Sequence, residues 1–246
     1  MEFPRVNLHI HSNLGVGVNS IEEIVLESLK LGLDYIAITD HFTNTWKANI
    51  IKTLNSRRKI SRYLDEISEY QEFLKSKKLP LKLLSGVEID LRSSIDYIEN
   101  NIEIDKFQLI LFEHLQNMKY AVKIERIIKY WKVSINSKSD FPIMGLAHFD
   151  PGYLIYNYLE DLIEFLKKYN IYFEFNYSYS KYYSSEYRFF FDKLKEHRVP
   201  VGIGSDSHFL PYLANIKEPL EKIIQYNLED NFQLLILKLK EKWYVV

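Results

Sequence analysis

The 246-residue sequence contains no cysteine. Disulfide bonds, thiolate metal sites and cysteine nucleophiles are therefore excluded. Charge of one sign is not in excess either, because the formal net charge is −1. This balance argues against a partner that is held mainly through its backbone charge, such as long duplex DNA. A local basic patch would still be able to bind a phosphate group.

Long hydrophobic runs are also missing. The first residues show no basic segment followed by an apolar run, which argues against a signal peptide. No apolar run approaches the ~18–20 residues of a membrane span. Linkers rich in proline, glycine and serine, internal repeats and low-complexity tracts are not seen. We therefore expect one domain over residues 1–246, located in the cytoplasm and without a membrane partner; the sequence does not indicate its oligomeric state.

Short apolar runs alternate with amphipathic segments along the chain. Seven runs have the character of strands, at residues 6–11, 35–39, 81–89, 107–115, 141–149, 171–178 and 199–208. Helical spacing of apolar residues occurs at 20–33, within 46–78, and at 120–136, 159–170 and 185–197. This alternation is typical of parallel β/α units, which we expect to close into an α/β barrel.

Two local features refine this pattern. Ser20 and Glu23 form a capping box, which predicts that the first helix begins here. The segment 42–80 is the one long insertion, and it includes the basic stretch NSRRKISR at 55–62.

The first strand-like run, VNLHIHS at residues 6–12, devotes one face to polar side chains. Alternate residues of a strand point to the same side, so Asn7, His9 and His11 share a face. The apolar residues between them share the other face. Two imidazoles in this H-x-H spacing are able to coordinate one metal ion from the same side.

Six of the seven histidines lie near the C-terminal end of a strand-like run, whereas His197 lies inside a helical pattern. The six are His9, His11, His41, His114, His148 and His208. Three carboxylates lie at the same level, namely those of Asp40, Glu88 and Asp206. In parallel β/α barrels the active site is built at this end of the strands. Burying so many polar groups together is costly without compensation, and metal ions supply that compensation.

The donor types narrow the choice of metal. Asp206 and His208 repeat the spacing of the first strand on the last one, and Glu88 has two oxygens with which to bridge two ions. All of these donors are nitrogen or oxygen atoms, which favours Zn, Mn or Fe over metals that select thiolates.

Six motifs occur in a fixed order: HIHS, ITDH, GVEID, the single His114, GLAHFD and GIGSDSH. In this order they resemble the PHP (polymerase and histidinol phosphatase) family over residues 6 to about 215. The resemblance implies a distorted (β/α)7 TIM-like barrel with two or three divalent ions. It also implies the ligands: His9, His11, Glu88 and Asp206 for the first ion, Glu88, His114 and His148 for the second, and His41 and His208 for the third.

Two positions qualify this assignment. Asp40 matches the Asp of the family's TDH motif, where it either orients a ligand or caps a helix after the strand. Family members usually carry an Asp or His a few residues after the H-x-H, but Val16 stands at that position here. Asn13 and Asn19 are the nearest substitutes, so occupancy of the third site is an open question.

The resemblance implies a hydrolase that acts on a phosphate ester through a metal-activated hydroxide, with Glu88, Asp206 and His208 as catalytic residues. Small PHP phosphatases place a phosphate-contacting Arg near the position of Lys181, so Lys181 is the first candidate substrate contact. Arg188 is the second, and Arg57 and Arg58 are weaker candidates. The tyrosine-rich segment 175–191 either packs or stacks on a substrate ring.

Several functions fit these residues. The favoured substrate is a small phosphate monoester, either histidinol-phosphate-like or a nucleotide. A 5′-end exonuclease on short oligonucleotides is an alternative, with short nucleic acid as its partner. An amidohydrolase and a catalytically silent PHP scaffold are weaker alternatives. GVEID on the middle strand and SDSH on the last one favour the phosphoesterase over the amidohydrolase.

Overall fold

The computed structural model describes residues 3–135 and 141–244, and the side chains of these residues up to 242. Its strands are β1 (Val6–Ile10), β2 (Tyr35–Ile38), β3 (His41–Phe42), β4 (Lys82–Asp90), β5 (Leu109–Glu113), β6 (Ile143–Leu146), β7 (Ile171–Asn176) and β8 (Val201–Gly204). Its helices are α1 (Ile21–Lys30), α2 (Arg57–Ser76), α3 (Ile95–Asn101), α4 (Met118–Ser134), α5 (Ile155–Tyr169), α6 (Arg188–Glu196), α7 (Lys217–Gln225) and α8 (Glu229–Tyr244).

The sheet is parallel and nearly closed. Its strand order is β1-β2-β4-β5-β6-β7-β8, and β3 resumes the path of β2 by also pairing with β4. The chain after β8 returns to β1, where Ile10 and Ser207 form a parallel bridge. His11 N donates to the carbonyl of Ser207 at 2.8 Å. These pairings confirm the expected seven-stranded α/β barrel.

Polar side chains help to close the barrel. Asn7 donates from Nδ2 to Ser205 Oγ at 2.8 Å and accepts from Ser205 N at 3.1 Å. All five residues of β1 are buried, including Asn7 and His9. The apolar face of β1 packs in the hydrophobic core, and its polar face lines the barrel mouth.

The five predicted helical segments are confirmed as α1, α2, α4, α5 and α6. The capping box of Ser20 and Glu23 is present at the start of α1. The prediction for α4 extended to Asn136, which lies outside the described residues. Helices α3, α7 and α8 are additional to the predicted segments. Among the helices of the described ranges, none is long and apolar enough to serve as a membrane span.

Candidate metal centre

The C-terminal ends of the strands bring most of the predicted ligands into one cluster. His9 lies on β1 and His11 directly after it, His41 lies on β3, and Glu88 lies on β4. The turns after β6 and β8 supply the other members, His148, Asp206 and His208. The side chains of His9, His11 and Glu88 are completely buried. The cluster therefore forms the floor of the barrel mouth.

Asp206 lies between the two imidazoles of the first strand. Its Oδ1 is 2.9 Å from His11 Nε2 and 3.4 Å from His9 Nε2. The two Nε2 atoms are themselves 3.2 Å apart. Three potential ligand atoms thus converge on one point, as the H-x-H and D-x-H spacings predicted.

Glu88 directs its two oxygens to different imidazoles. Its Oε1 is 3.1 Å from His148 Nε2. Its Oε2 is 2.7 Å from His41 Nδ1 and 3.5 Å from His9 Nε2. This is the arrangement required of a carboxylate that bridges two ions.

A third group consists of imidazoles alone. The rings of His41 and His208 lie 4.6 and 4.5 Å from the ring of His11, between centroids. Ligand atoms of these three residues lie within 4.8 Å of one another. Val16, where the family usually has a ligand, is half-buried. Asn19 is engaged elsewhere, because its Oδ1 accepts from Leu210 N at 3.2 Å.

Several buried atoms of the cluster lack hydrogen-bond partners. These are His11 Nδ1, His41 Nδ1 and Glu88 Oε2. His41 Nδ1 and Glu88 Oε2 lie 2.7 Å apart without the geometry of a hydrogen bond. An unpaired buried polar atom costs free energy, and divalent ions among these donors would remove that cost. The residues present therefore fit a metal centre.

Glu174 holds the first imidazole in place. Its Oε1 and Oε2 lie 3.0 and 3.2 Å from His9 Nδ1, which directs His9 Nε2 toward the cluster. Glu174 Oε2 also accepts from the backbone N of His148 at 2.7 Å. A Cβ at Gly204 would overlap Glu174 Oε1, so the glycine leaves room for this carboxylate. Sequence reasoning did not assign Glu174 a role, although the alternation EFN on the sixth strand-like run was a signal.

Asp40 fixes the turn that follows β1. It accepts hydrogen bonds from both N and Oγ of Ser12, and its Oδ1 is 3.7 Å from His11 Nδ1. The alternative role as a helix cap is wrong, because the residues after Asp40 form strand β3. Asp40 is thus placed to orient His11 through the adjacent backbone.

Three residues of the mouth have left-handed backbone conformations that are uncommon outside glycine. The φ angles are 68° at His114, 34° at His148 and 53° at Asp206. Each residue lies just beyond the end of a strand, where the chain turns to direct a side chain into the mouth. Backbone strain of this kind persists where the surrounding structure imposes it, and it is concentrated at functional sites.

The carboxylates of the cluster shift the pKa values of the neighbouring histidines. Burial lowers the pKa of His9, but the negative charges of Glu174, Glu88 and Asp206 outweigh burial and raise the pKa well above its usual value. Burial likewise opposes ionisation of His11, but Asp206 and Asp40 raise its pKa to about 9. Burial and the charge of His11 lower the pKa of His208.

The carboxyl pKa values move in the opposite direction. Burial raises the pKa of Glu88, but His41 and His9 outweigh burial and hold it well below its usual value. Burial also raises the pKa of Asp206, and His9 and His11 lower it by more. The carboxylates therefore stay ionised and available to a cation.

His114 lies at the edge of the cluster, and in the described part of the chain its ligand atoms do not fall in one group with those of Glu88 and His148. Its ligand atoms group with those of Asp90 and Glu113, and its Nε2 lies 3.1 Å from Lys47 Nζ. Glu113 also groups with His41 and Glu88. Sequence reasoning did not assign roles to Lys47, Asp90 or Glu113. The position of Glu113 next to His114 at the end of a strand was the available signal.

The predicted substrate contacts lie at the surface. Lys181 is exposed, and its Nζ lies 5.0 Å from the centroid of the Tyr182 ring. Arg188 pairs with Asp192 at 3.3 Å and packs over Tyr226. Arg57 donates to the carbonyl of Asn100, and Arg58 is exposed on α2.

The tyrosine-rich segment divides between core and mouth. Tyr183, Phe190 and Phe191 are buried in the core, as the packing interpretation predicted. Tyr179 instead stacks on His148 with 4.4 Å between ring centroids, and Tyr182 stacks on Tyr179 at 5.5 Å. A cavity of about 170 Å³ beside the metal centre is lined by His114, Leu115, Gln116, Ala147, His148, Phe149, Asp150, Tyr153, Tyr179 and Tyr182.

Comparisons with solved structures show the same fold. The structure is similar to that of histidinol phosphate phosphatase from Lactococcus lactis complexed with Zn, L-histidinol and phosphate, with 16% identity, a TM-score of 0.58, and 90% of this chain and 94% of that chain covered. It is also similar to the metal-dependent tyrosine phosphatases YwqE from Bacillus subtilis and CpsB from Streptococcus pneumoniae, with 16% identity, a TM-score of 0.51, and coverage of 88% and 86%. A comparison with curated proteins gave no match.

The sequence itself was also compared with models of protein families. The model of the PHP domain matches residues 7–178. The match spans more than half of the chain and includes every predicted ligand except Asp206 and His208, which lie in the turn after β8. The chain belongs to the PHP domain family.

Proposed function

We propose that the protein is a metal-dependent phosphoesterase that hydrolyses a phosphate monoester. The observation that carries this proposal is Glu88, a fully buried carboxylate whose two oxygens face His148 on one side and His41 and His9 on the other. Bridged pairs of divalent ions are suited to phosphoryl transfer, because together they stabilise the attacking and the leaving oxygens. Membership of the PHP family and the likeness to two metal-dependent phosphatases support it.

Each side chain has a role in this proposal. The residues that would hold the ions are His9, His11, His41, Glu88, His148, Asp206 and His208. Divalent ions bound there would lower the pKa of a water molecule and neutralise charge on the phosphate. Glu174 accepts the Nδ1 proton of His9, so Nε2 is the nitrogen with which His9 would ligate an ion. We assign the main catalytic roles to Glu88, Asp206 and His208.

The metals we propose are Zn, Mn or Fe, two or three per chain, because every donor is a nitrogen or an oxygen. The group of three imidazoles would hold the third ion. His114, which the family resemblance assigns to the second ion, contacts Lys47 through Nε2, and its role as a ligand stays a prediction. Zinc in the structure from L. lactis supports this choice of metals.

The substrate we propose is small. The proposed substrate is a compact phosphate ester such as a histidinol-phosphate-like compound or a nucleotide. The cavity beside Tyr179, with a volume of about 170 Å³, is smaller than the roughly 300–1,000 Å³ of ordinary ligand pockets, so it would hold part of such a molecule. Lys181 and Arg188 are the proposed contacts to substrate. Short nucleic acid as a substrate and a cytoplasmic location stay predictions.

A substrate panel tests the proposal. The protein is stripped with a chelator, reloaded with Zn²⁺ or Mn²⁺, and assayed with an aryl phosphate, histidinol phosphate, nucleoside monophosphates, a cyclic diester and a short 5′-phosphorylated oligonucleotide. We expect phosphate release from a monoester by the reloaded protein only. Turnover that is equal with and without metal, or absent from the whole panel, would contradict the proposal.

A further inference from the structure

Lys47 lies at the edge of the metal centre, in a single helical turn over Trp46–Asn49. Its Nζ is 3.1 and 2.9 Å from the two oxygens of Glu113 and 3.1 Å from Nε2 of His114. An ammonium group has three hydrogens, and each of them has an acceptor here when His114 carries its proton on Nδ1. The side chain of Lys47 is 19% exposed and that of Glu113 is 2% exposed. This pair therefore differs from an ordinary surface ion pair, which contributes little.

The acceptors of Lys47 are also metal-ligand atoms. Glu113 and His114 form one group of such atoms together with Asp90. Asp90 is already occupied, because Nε and Nη2 of Arg92 donate to its two oxygens at 2.9 and 2.8 Å. The remaining donors, Glu113 and His114, surround the point at which the ammonium lies.

The segment that carries Lys47 is anchored to the sheet. The hydroxyls of Thr43 and Thr45 both donate to Asp90 Oδ2, at 3.1 and 3.2 Å. The backbone N of Asn44 donates to Ser93 Oγ at 3.2 Å. Because these bonds fix the backbone on one side of Lys47, its ammonium is directed at Glu113 by the fold.

We propose that Lys47 is a built-in cation, whose ammonium occupies the ion position formed by Glu113 and His114. The mouth then keeps one positive charge that does not depend on the supply of metal, and this position excludes a divalent ion. Without Lys47, the buried carboxylate of Glu113 would have no counter-charge on this side. A divalent ion that accepts oxygen and nitrogen ligands would then bind there. This inference rests on the metal-binding part of the proposed function and not on the hydrolysis of a phosphate ester.

Counting bound ions tests the inference. Wild type, Lys47→Met, Lys47→Gln and Lys47→Arg are stripped of metal, titrated calorimetrically with Mn²⁺, and dialysed for elemental analysis. We expect the Met and Gln variants to bind one more Mn²⁺ per chain than wild type, and the Arg variant to match wild type. Lys52→Ala is the matched control, because Lys52 is an exposed lysine of the same segment, and it should also match wild type.

A double variant locates the extra ion. Adding Glu113→Gln to Lys47→Met should return the count to that of wild type. Equal counts of bound Mn²⁺ in wild type and in the Met and Gln variants would overturn the role of Lys47, while the Glu88-centred proposal would stand. If neither wild type nor the variants bound Mn²⁺, both proposals would fail. An extra ion that survives Glu113→Gln would also overturn this inference, because the ion would then lie elsewhere.

Discussion

Two neighbouring strand ends of the barrel each carry a buried glutamate, but their surroundings differ. Glu88 near the end of β4 faces four imidazoles, and Glu88 Oε2 has no hydrogen-bond partner. Glu113 at the end of β5 faces His114 and an ammonium group that contacts both of its oxygens. Both carboxylates are almost completely buried, so each needs a counter-charge. A lysine therefore supplies a permanent counter-charge at Glu113, whereas at Glu88 the counter-charge comes from imidazoles whose protons a divalent ion would displace.

The largest expected effect comes from removing the charge of Glu88. In Glu88→Gln we expect phosphoesterase activity to fall by about 10³-fold or more. The reason is that an amide nitrogen, which is a poor metal ligand, replaces one of the two carboxylate oxygens. Asp206→Asn should behave similarly. Steady-state kinetics and elemental analysis together check this. Asp161→Asn, which changes an exposed carboxylate of α5, is the control and should keep wild-type activity. Near-normal turnover in Glu88→Gln would show that the bridging assignment is wrong.

The next effect is the pH dependence of metal uptake. In the metal-free protein the pKa of His11 is raised to about 9 and that of His9 is also raised. At neutral pH these imidazoles therefore carry protons that a metal ion must displace. We expect Mn²⁺ affinity to rise with pH up to about 9, by about ten-fold per pH unit for each proton displaced. Calorimetry in buffers of different ionisation enthalpy measures the protons released. Affinity that is constant between neutral pH and pH 9 would contradict this prediction.

A smaller effect is expected for Glu174→Gln. The amide oxygen still accepts the Nδ1 proton of His9, but the negative charge that makes the ring a stronger ligand is lost. We expect metal affinity to fall about 10-fold, with activity restored by excess metal. Glu164→Gln is the matched control, because Glu164 is an exposed glutamate near His197. A loss of activity that excess metal does not restore would show that Glu174 acts on the reaction in another way.

The smallest effect is expected for His197→Gln. His197 lies after α6, and the carboxylates nearest to it are Glu164 at 3.7 Å and Glu196 at 4.0 Å. Because this residue lies outside the cluster, kcat/KM and metal content should match those of wild type. An inactive variant that still folds would mean that the site had been placed at the wrong end of the strands.

Much of the fold, and the cluster of ligands around Glu88, could be predicted from local sequence. The alternation in VNLHIHS sets which side chains of β1 face inward. Parallel strands with their C-terminal ends at one edge bring distant motifs together, so His9 and Asp206 meet although they lie at opposite ends of the chain. Glu88 was identified because it lies near the end of a strand-like run, within the motif GVEID.

The contacts that Lys47, Glu113 and His114 make with one another could not be predicted in the same way. Lys47 lies in an insertion without strand periodicity, and nothing in its local sequence indicates that it returns to the mouth. The hydroxyls of Thr43 and Thr45 place it there through Asp90, which is a tertiary contact. His114 was grouped with His148 by family resemblance, but its left-handed φ of 68° belongs to a turn in which its Nε2 contacts Lys47.

Anomalous diffraction from a crystal grown with Mn²⁺ tests the central claim most directly. We expect one peak within ligand distance of Glu88 Oε1 and a second within ligand distance of Glu88 Oε2, both in contact with imidazole nitrogens, and no peak between Glu113 and His114. Peaks that avoid Glu88, or a crystal in which the imidazoles hold no Mn²⁺, would contradict the account.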